Sequence, residues 1–404
     1  MTGARFPMRP APFVFLICLA EALSMTGTMY FPALLPSLQS EWGLTNTEAG
    51  WINGIFFAGY AVTSPFLVGL TDRIDARRIY LPSAALAALS LFLFGWMAEG
   101  TWTAAGLRLL AGIGLAGTYM PGLRALSDNV AGSKQSRSIV FYTASYGIGT
   151  ALSVCLAGLL APLIGWRAGA ELLALGPVAA LLLFAAAVPS RKPPASDAGL
   201  RISALDLKAV LADRGAAGYI LGYGAHCWEL FGFRSWLVAF LVFSLSLQPD
   251  FTPPLSPQNV AMIILLAGVP ASILGNEGAM AWGRRRAITL YMIGSGILGC
   301  FIGFTAGLNF YLVSALSFLY GMTNLFDSGA LTAGLVAESP ERQRGLTLAV
   351  YSFTGFGMAF LAPLAFGAIL DAAGRGVAAW GFAFASLGIV CMSGALWLRI
   401  FRPR

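Results

Sequence analysis

The chain is built from long apolar runs separated by short polar breaks. An α-helix needs about 20 apolar residues to cross the ~30 Å hydrocarbon core of a bilayer, and each run has roughly that length. The eleven breaks fall at residues 39–47, 72–78, 99–101, 127–137, 165–168, 190–213, 247–257, 282–286, 305–308, 336–345 and 371–376. The pattern therefore predicts twelve transmembrane helices, which we number segments one to twelve.

Composition and the N-terminal run support an all-α polytopic membrane protein. With 57% hydrophobic and 11% charged residues, the chain of 404 residues is too apolar for a soluble protein. Segment one contains Glu21 and leads into Tyr30-Phe31-Pro32 rather than a small-residue cleavage site, so we expect a retained helix and no cleaved signal peptide. The five cysteines are isolated within apolar runs, a pattern that favours packing over disulfides or metal binding.

Basic residues predict the orientation in the membrane. Of the 25 lysines and arginines, twenty lie near the termini or on alternate breaks, whereas the opposite breaks carry only Arg167 and Arg375. Cytoplasmic loops carry such an excess. We therefore expect a multi-pass protein of a bacterial inner membrane with both termini in the cytoplasm. No basic run alternates with aromatic residues, so nucleic-acid binding is not expected.

The longest break divides the chain into two sets of six segments. We expect a first bundle at residues 1–189, a cytoplasmic linker at 190–213 and a second bundle at 214–404. In the linker, apolar residues at 205, 207, 210 and 211 predict a short amphipathic helix on the membrane surface.

The two bundles also resemble each other at an offset of about 208 residues. A parallel repeat of this kind is typical of transporters whose binding site lies between the halves, near the bilayer midplane. The matching pairs are Arg77-Arg78 with Arg284-Arg285, Gly112 with Gly321, Tyr142 with Tyr351, and Arg167 with Arg375.

Two motifs resemble a known family. The loop Gly69-Leu-Thr-Asp72-Arg73-Ile-Asp75-Ala-Arg77-Arg78 resembles the cytoplasmic loop signature of the major facilitator superfamily. Arg108-Leu-Leu-Ala-Gly112-Ile-Gly114 is similar to the Arg-x-x-x-Gly-x-Gly pattern of that superfamily. The resemblance implies two six-helix bundles, solute transport by alternating access, and a gating role for Gly69, Asp72, Arg73, Arg77 and Arg78.

Charged residues within the segments are candidates for function because a charge in the bilayer core is costly. Glu21 is either half of a structural ion pair or a protonatable carboxylate that couples transport to protons. Arg108 shares a helical face with Gly112 and Tyr119. Because glycine has no side chain, this face has room for a ligand or for close helix packing. The superfamily resemblance implies proton coupling or anion binding at Arg108. Arg124, near the cytoplasmic end, is expected to reach the lipid headgroups.

Segments seven and ten carry further polar groups. His226 and Glu229 lie three residues apart on one helical face, where Glu229 would stabilise a charged His226; a hydrogen-bonded, buried histidine is the alternative. Arg234 is expected to neutralise Glu229. In segment ten Asn324 and Asp327 share a face, together with Tyr320 and Ser328, for binding or for interhelix packing.

The motifs favour a transporter over an enzyme. We find no nucleophile elbow, phosphate-binding loop or metal-ligand spacing, so neither catalysis nor a cofactor is expected. A membrane enzyme using Glu21, His226 and Glu229 as acid and base groups is one rival hypothesis. A channel or a non-transporting receptor on the same scaffold is another. The expected partners are the lipid bilayer, a small solute and protons, with the protein as a monomer.

The substrate is the least determined prediction. Segment five lacks the Gly-Pro-x-x-Gly-Gly arrangement of many drug/proton antiporters, and Pro121 to Gly149 resembles the branch that carries cyanate and small anions. The sequence thus favours proton-coupled uptake of a small anionic solute, with Arg108 as its partner. The alternative is an exporter of small hydrophobic compounds in which Glu21 and Asp327 bind a cation or proton.

Overall fold

The fold consists of helices throughout the part of the chain that is described. The structure, a computed structural model, describes residues 10–190, 208, 210, 212–339 and 344–402. The first half comprises α1 (Pro10–Ser24), α2 (Tyr30–Trp42), α3 (Asn46–Leu70), α4 (Ala76–Met97), α5 (Thr101–Asn129), α6 (Ser133–Ile164), α7 (Trp166–Leu173) and α8 (Leu175–Ala187).

The second half repeats the same plan. It comprises α9 (Arg214–Ser246), α10 (Pro257–Trp282), α11 (Arg284–Ile302) with a 3-10 turn at Gly303–Thr305, α12 (Phe310–Thr323), α13 (Ser328–Glu338), α14 (Arg344–Ala373) and α15 (Val377–Ile400). These helices make up the twelve predicted segments in two bundles of six, so the predicted fold class is confirmed.

Nine of the described spans are long and apolar enough to cross a membrane on their own. Segments one, four and ten complete the twelve. Segment four is the 29-residue α5, which is less apolar because it contains arginines and many glycines. Segments one and ten are each divided into two helices, with breaks at residues 25–29 and 324–327 that the apolar pattern does not show.

The linker is only partly described. Of its residues, the structure covers 190, 208, 210, 212 and 213, so the expected amphipathic helix lies largely outside the described residues and stays a prediction. At its end, the Asp213 carboxylate accepts a hydrogen bond from the Ala216 backbone N–H at 2.9 Å and caps α9.

Glycines allow close packing inside the first half. At Gly112, an added Cβ atom would lie 1.9 Å from the Phe56 carbonyl oxygen, so only glycine permits α5 to approach α3 this closely. The sequence left open whether the glycines near Arg108 make room for a ligand or for helix packing. At Gly112 they serve helix packing.

The two halves meet along α3 and α14. A Cβ atom at Gly54 would lie 2.2 Å from the Phe360 carbonyl oxygen, and one at Gly50 would lie 2.3 Å from that of Pro363. Contacts between α2 and α9 and between α6 and α10 complete the interface. We call the membrane side that carries the connection 71–75 the arginine-rich end, and the side that carries the connection 43–45 the arginine-poor end.

A carboxylate closes the interface at the arginine-poor end. Asp371, at the end of α14, accepts hydrogen bonds from the backbone N–H groups of Asn46 and Thr47 at 3.1 and 2.7 Å. Its oxygens also accept from Asn46 Nδ2 at 2.8 Å and Thr47 Oγ1 at 2.6 Å. One residue of the second half therefore caps the first turn of α3 in the first half. We call this contact the Asp371 latch.

Candidate functional site

Glu21 is a fully buried carboxyl group in the last turn of α1. Its side chain is 0% exposed, and its Oε2 atom accepts a hydrogen bond from Tyr142 of α6 at 2.9 Å. Its Oε1 atom is buried without a hydrogen-bond partner. Among the described residues, no arginine, lysine or histidine forms an ion pair with it. The structure thus gives no support to the interpretation of Glu21 as half of an ion pair.

The hydrogen bonds around Glu21 are best satisfied when it carries a proton. The Tyr142 hydroxyl lies 2.9 Å from Glu21 Oε2 and 2.8 Å from the Tyr119 carbonyl oxygen, yet it has one hydrogen to donate. When Glu21 is protonated, it donates to Tyr142 while Tyr142 donates to Tyr119. An ionised Glu21 forces Tyr142 to leave one of the two oxygens unpaired. The hydrogen bonds of the site therefore differ between the protonated and the ionised form of Glu21.

Arg108 lies inside the first half rather than beside a carboxylate. It is 5% exposed and donates a hydrogen bond from Nη1 to the Thr28 carbonyl oxygen at 2.8 Å, within the break of segment one. Its guanidinium lies 4.4 Å from the centroid of the Phe56 ring. The Thr28 carbonyl oxygen, which the break in the helix leaves without an intrahelical partner, thus accepts from the charged Arg108 guanidinium.

His226 pairs with Asp327 and not with Glu229. The His226 Nδ1 and Asp327 Oδ1 atoms lie 2.8 Å apart, and both side chains are buried. Asp327 lies at the start of α13, so the pair joins α9 to the break in segment ten. Glu229 is therefore not the ion-pair partner of His226 among the described residues, because the better placed carboxylate comes from another helix. Stabilisation of a charged His226 by Glu229 over a longer distance stays a prediction.

Glu229 instead faces the interior of the second half. Its Oε1 atom accepts a hydrogen bond from Ser295 of α11 at 2.8 Å. The prediction that Arg234 neutralises Glu229 is also wrong. Arg234 makes none of the ion pairs found among the described residues, and its closest ring contact is Phe231, at 5.9 Å.

Asn324 lies in the break of segment ten, close to the end of α12. It is 1% exposed, and both its side-chain oxygen and nitrogen are buried without hydrogen-bond partners. The breaks in segments one and ten thus bring polar groups to mid-membrane depth in both halves. Discontinuous helices of this kind are where transporters hold substrates and coupling ions.

Aromatic side chains from both halves meet at the centre of the molecule. Phe57 and Phe231 lie with ring centroids 4.5 Å apart, and Tyr60 and Phe356 lie 4.1 Å apart. Tyr119 and Tyr146 lie 5.2 Å apart on the side of the first half. We call these residues, with Phe56, the central aromatic cluster. Three of them are tyrosines, which offer hydroxyl groups as well as ring faces.

The predicted gating loop folds back onto its own half. Asp72 forms an ion pair with Arg124 at 3.1 Å, and Arg124 also contacts Asp128 at 3.1 Å. The Arg124 side chain is 40% exposed, and its expected reach to the lipid headgroups stays a prediction. Asp75, not Asp72, caps the next helix: it accepts from the Arg77 N–H at 3.1 Å. Of the other loop residues, Arg77 donates to the Val188 carbonyl oxygen, while Gly69, Arg73 and Arg78 are accessible to solvent.

Comparison with known proteins decides the family. The family described as the Major Facilitator Superfamily matches residues 17–258. The chain belongs to this superfamily. This family membership and the transporter names of its relatives indicate that the protein is a transporter and not an enzyme.

Named relatives of this superfamily member carry small solutes. The "Putative niacin/nicotinamide transporter NiaP" of Bacillus subtilis is 26% identical over 329 residues, 76% of this chain and 75% of that protein. The "Niacin transporter NiaP" of Acinetobacter baylyi is 27% identical over 142 residues, 35% of this chain and 32% of that protein. The "Benzoate transport protein" of A. baylyi is 28% identical over 139 residues, 33% of this chain and 29% of that protein.

A solved structure has the same fold. The bacterial homolog of the human lysosomal transporter Spinster, in an inward-facing and unoccupied conformation, superposes with a TM-score of 0.73 at 16% identity. The superposition covers 97% of this chain and 95% of that one. At this identity the likeness establishes the fold alone.

Sequence analysis missed three features of the site. Tyr142 appears in it only as a repeat match, although it is the hydrogen-bond partner of Glu21. The pairing of His226 with Asp327 gives no local signal, because the two residues are far apart in the chain. The central aromatic cluster is spread over five segments, and in each segment a phenylalanine or tyrosine looks like ordinary lipid-facing or packing residues.

Proposed function

We propose that this transporter takes up a small aromatic monocarboxylate together with a proton, by alternating access. The observation that carries the proposal is the Glu21 site: a fully buried carboxyl group with a free oxygen and no cationic partner among the described residues. Such a group is costly when charged, which favours proton uptake whenever no other charge compensates it.

The central aromatic cluster supports an aromatic substrate. Phe57, Phe231, Tyr60 and Phe356 come from both halves, so a ring bound among them contacts each half during the transport cycle. Ring pairs of this kind contribute about 0.5–1.5 kcal/mol each beyond the burial of apolar area. Niacin and benzoate, in the names of the relatives, are both aromatic monocarboxylates.

Charge distribution supports uptake across a bacterial inner membrane. If the arginine-rich end faces the cytoplasm, then both termini and residues 190–213 are cytoplasmic. The Asp371 latch then closes the periplasmic side, which corresponds to an inward-facing conformation. In this proposal residues 1–189 and 214–404 are the two moving bundles of a monomer.

The loop Gly69–Arg78 is proposed to gate the cytoplasmic side. In the present conformation Asp72 is held by Arg124 of its own half at 3.1 Å. Both side chains are about half exposed, so the ion pair contributes little stability and is readily exchanged for another partner. This fits a group that changes partners when the halves close.

The exporter hypothesis has less support. It uses Glu21 and Asp327 as sites for a cation or proton, but Asp327 lies 2.8 Å from His226 and is not free. A channel or receptor would not require a buried carboxyl group whose hydrogen bonds change with protonation.

Transport in proteoliposomes tests the proposal. Radiolabelled benzoate and nicotinate are offered outside vesicles with an acidic exterior and an alkaline interior. We expect saturable accumulation that stops when a protonophore removes the pH gradient. Uptake that rises linearly with concentration would indicate a channel, and the absence of uptake for both acids would reject the substrate class.

A further inference from the structure

Arg234 is an arginine inside the membrane that has no carboxylate partner in the described part of the chain. It lies on α9, twelve residues before the helix ends at Ser246, or ~18 Å at a rise of 1.5 Å per residue. Its Nε atom is buried and has no hydrogen-bond partner. The buried acidic residues of the second half have other partners. Glu229 accepts a hydrogen bond from Ser295, and Asp327 pairs with His226. An isolated charge at this depth is unfavourable unless an anion joins it.

The surroundings of Arg234 belong to both halves. Phe231, one turn earlier on α9, lies with its ring centroid 5.9 Å from the guanidinium, and its ring packs against that of Phe57 of the first half at an angle of 51°. Arg234 also interacts electrostatically with Tyr146 of α6. Its side chain is partly accessible despite its depth. The guanidinium therefore lies at the edge of the central aromatic cluster.

Within the apolar segments that the structure describes, Arg108 is the other arginine without a carboxylate partner, and its setting differs. It is 5% exposed, bound to the Thr28 carbonyl oxygen and stacked on Phe56. These contacts use its charge to hold the break of segment one. The Nε atoms of both arginines are buried without a hydrogen-bond partner among the described residues. Arg234 also lacks a bond like the one that Arg108 makes through Nη1, so it has one more donor group to offer to a ligand.

We infer that Arg234 binds the carboxylate of the substrate while the central aromatic cluster holds its ring. This rests on the proposed function, since it names the anion-binding residue of that same site. A guanidinium presents two parallel N–H donors that match the two oxygens of a carboxylate. The neutral amide of the same acid cannot accept both bonds. Arg234 should therefore distinguish an acid from its amide.

Binding of two ligand pairs tests this role. Benzoate with benzamide, and nicotinate with nicotinamide, are titrated calorimetrically into the purified protein in nanodiscs. We expect the wild type to prefer each acid. Arg234→Gln should weaken acid binding by at least about thirtyfold, since truncating one member of a buried charge pair has effects of this size. Its affinity for the amides should change by less than about threefold, because they never used the charge.

Three further variants make the result decisive. Arg234→Lys keeps the positive charge but lacks the two parallel N–H donors of a guanidinium, so it should retain part of the preference for the acid that Arg234→Gln loses. Arg375→Gln removes an exposed arginine in a loop and should leave the preference intact. Arg108→Gln is compared in parallel. A loss of the preference at Arg108 but not at Arg234, or an equal loss of acid and amide binding in Arg234→Gln, overturns the inference. A wild type that prefers neither acid rejects the proposed function itself.

Discussion

At the scale of single residues, the partners of a buried carboxyl group decide what it can do. Glu21 and Glu229 lie 208 residues apart, at the offset of the repeat, and both are 0% exposed. Glu21 competes with the Tyr119 carbonyl oxygen for the hydroxyl hydrogen of Tyr142. Glu229 accepts a hydrogen bond from Ser295 inside the second half. Each carboxyl group keeps one buried oxygen without a hydrogen-bond partner among the described residues, so the equivalent positions differ in the neighbour of the other oxygen and not in burial.

We expect Glu21→Gln to abolish accumulation that is driven by a pH gradient but to retain exchange of substrate across the membrane. Glutamine keeps the size and polarity of the side chain but cannot release a proton. The measurement is paired gradient-driven uptake and counterflow in proteoliposomes, with Glu99→Gln as a control at an exposed carboxylate. Accumulation at the wild-type rate in Glu21→Gln would make Glu21 a structural residue.

The pair of His226 and Asp327 is expected to show strong coupling in stability. His226→Leu leaves the Asp327 carboxylate buried without its partner and should lower the free energy of unfolding by about 3–5 kcal/mol. The double variant His226→Leu/Asp327→Leu should recover much of that loss, because no unpaired charge remains. Denaturation in detergent, analysed as a double-mutant cycle, measures the coupling. Additive effects of the two substitutions would show that the contact contributes little.

The residues of the site show which predictions a sequence supports. The burial of Glu21 and Arg108 follows from apolar runs alone, because any charge within such a run must lie inside the membrane. Their partners do not follow, since Tyr142 and Thr28 come from other helices or from a break in the same one. For His226 the periodicity of α9 favoured Glu229, and only the packing of segment ten against α9 brings Asp327 closer.

At the scale of elements, the apolar pattern predicts spans but not their continuity. Residues 25–29 contain methionines, threonines and a glycine, which are apolar enough to continue a run. The helix can stop there because hydroxyl groups satisfy the backbone: Thr28 Oγ1 donates to the Met25 carbonyl oxygen at 2.8 Å, and Ser153 Oγ accepts from the Met29 N–H at 3.0 Å. Ser153 lies on another segment, so this compensation has no signal in the local sequence.

The Asp371 latch should control how often the arginine-poor end opens. Asp371→Asn weakens the cap on α3, and a cap contributes about 0.5–2 kcal/mol. The open population should therefore rise by roughly two- to thirtyfold. The readout is maleimide labelling of Ser40→Cys, which lines the groove between the halves at that end, in a protein without the native cysteines.

Glu48→Gln is the matched control for the latch. Glu48 also lies in the first turn of α3, but its carboxylate accepts from Thr45 and Thr101 of the first half. Its removal disturbs the same helix end without touching the contact between halves. Equal labelling of both variants would mean that the latch stabilises α3 only and does not hold the halves together.

At the scale of the whole molecule, the distribution of charge predicts the orientation. The arginine-rich end should face the cytoplasm, together with both termini and residue 196 of the linker. Labelling of Ser196→Cys with a membrane-impermeant maleimide in intact cells tests this, again without the native cysteines. We expect labelling only after the cells are broken. Labelling of intact cells would show that the protein has the opposite orientation, and that the present conformation opens to the other side of the membrane.

A transport cycle that uses Glu21 alone as its proton site has a consequence for energetics. A monoanion that enters with one proton moves no net charge, so the loaded and the empty carrier carry the same charge through the membrane. The transmembrane voltage then does no work on the cycle, although it would supply about 2.3 kcal/mol per 100 mV to each charge moved. Accumulation should be limited to about tenfold per unit of pH difference, equivalent to about 1.36 kcal/mol. A potassium diffusion potential, imposed at equal pH on both sides, should therefore let the substrate equilibrate across the membrane but not accumulate above its external concentration. Accumulation under that potential would require a second proton, and Glu229 would be the residue to examine for it.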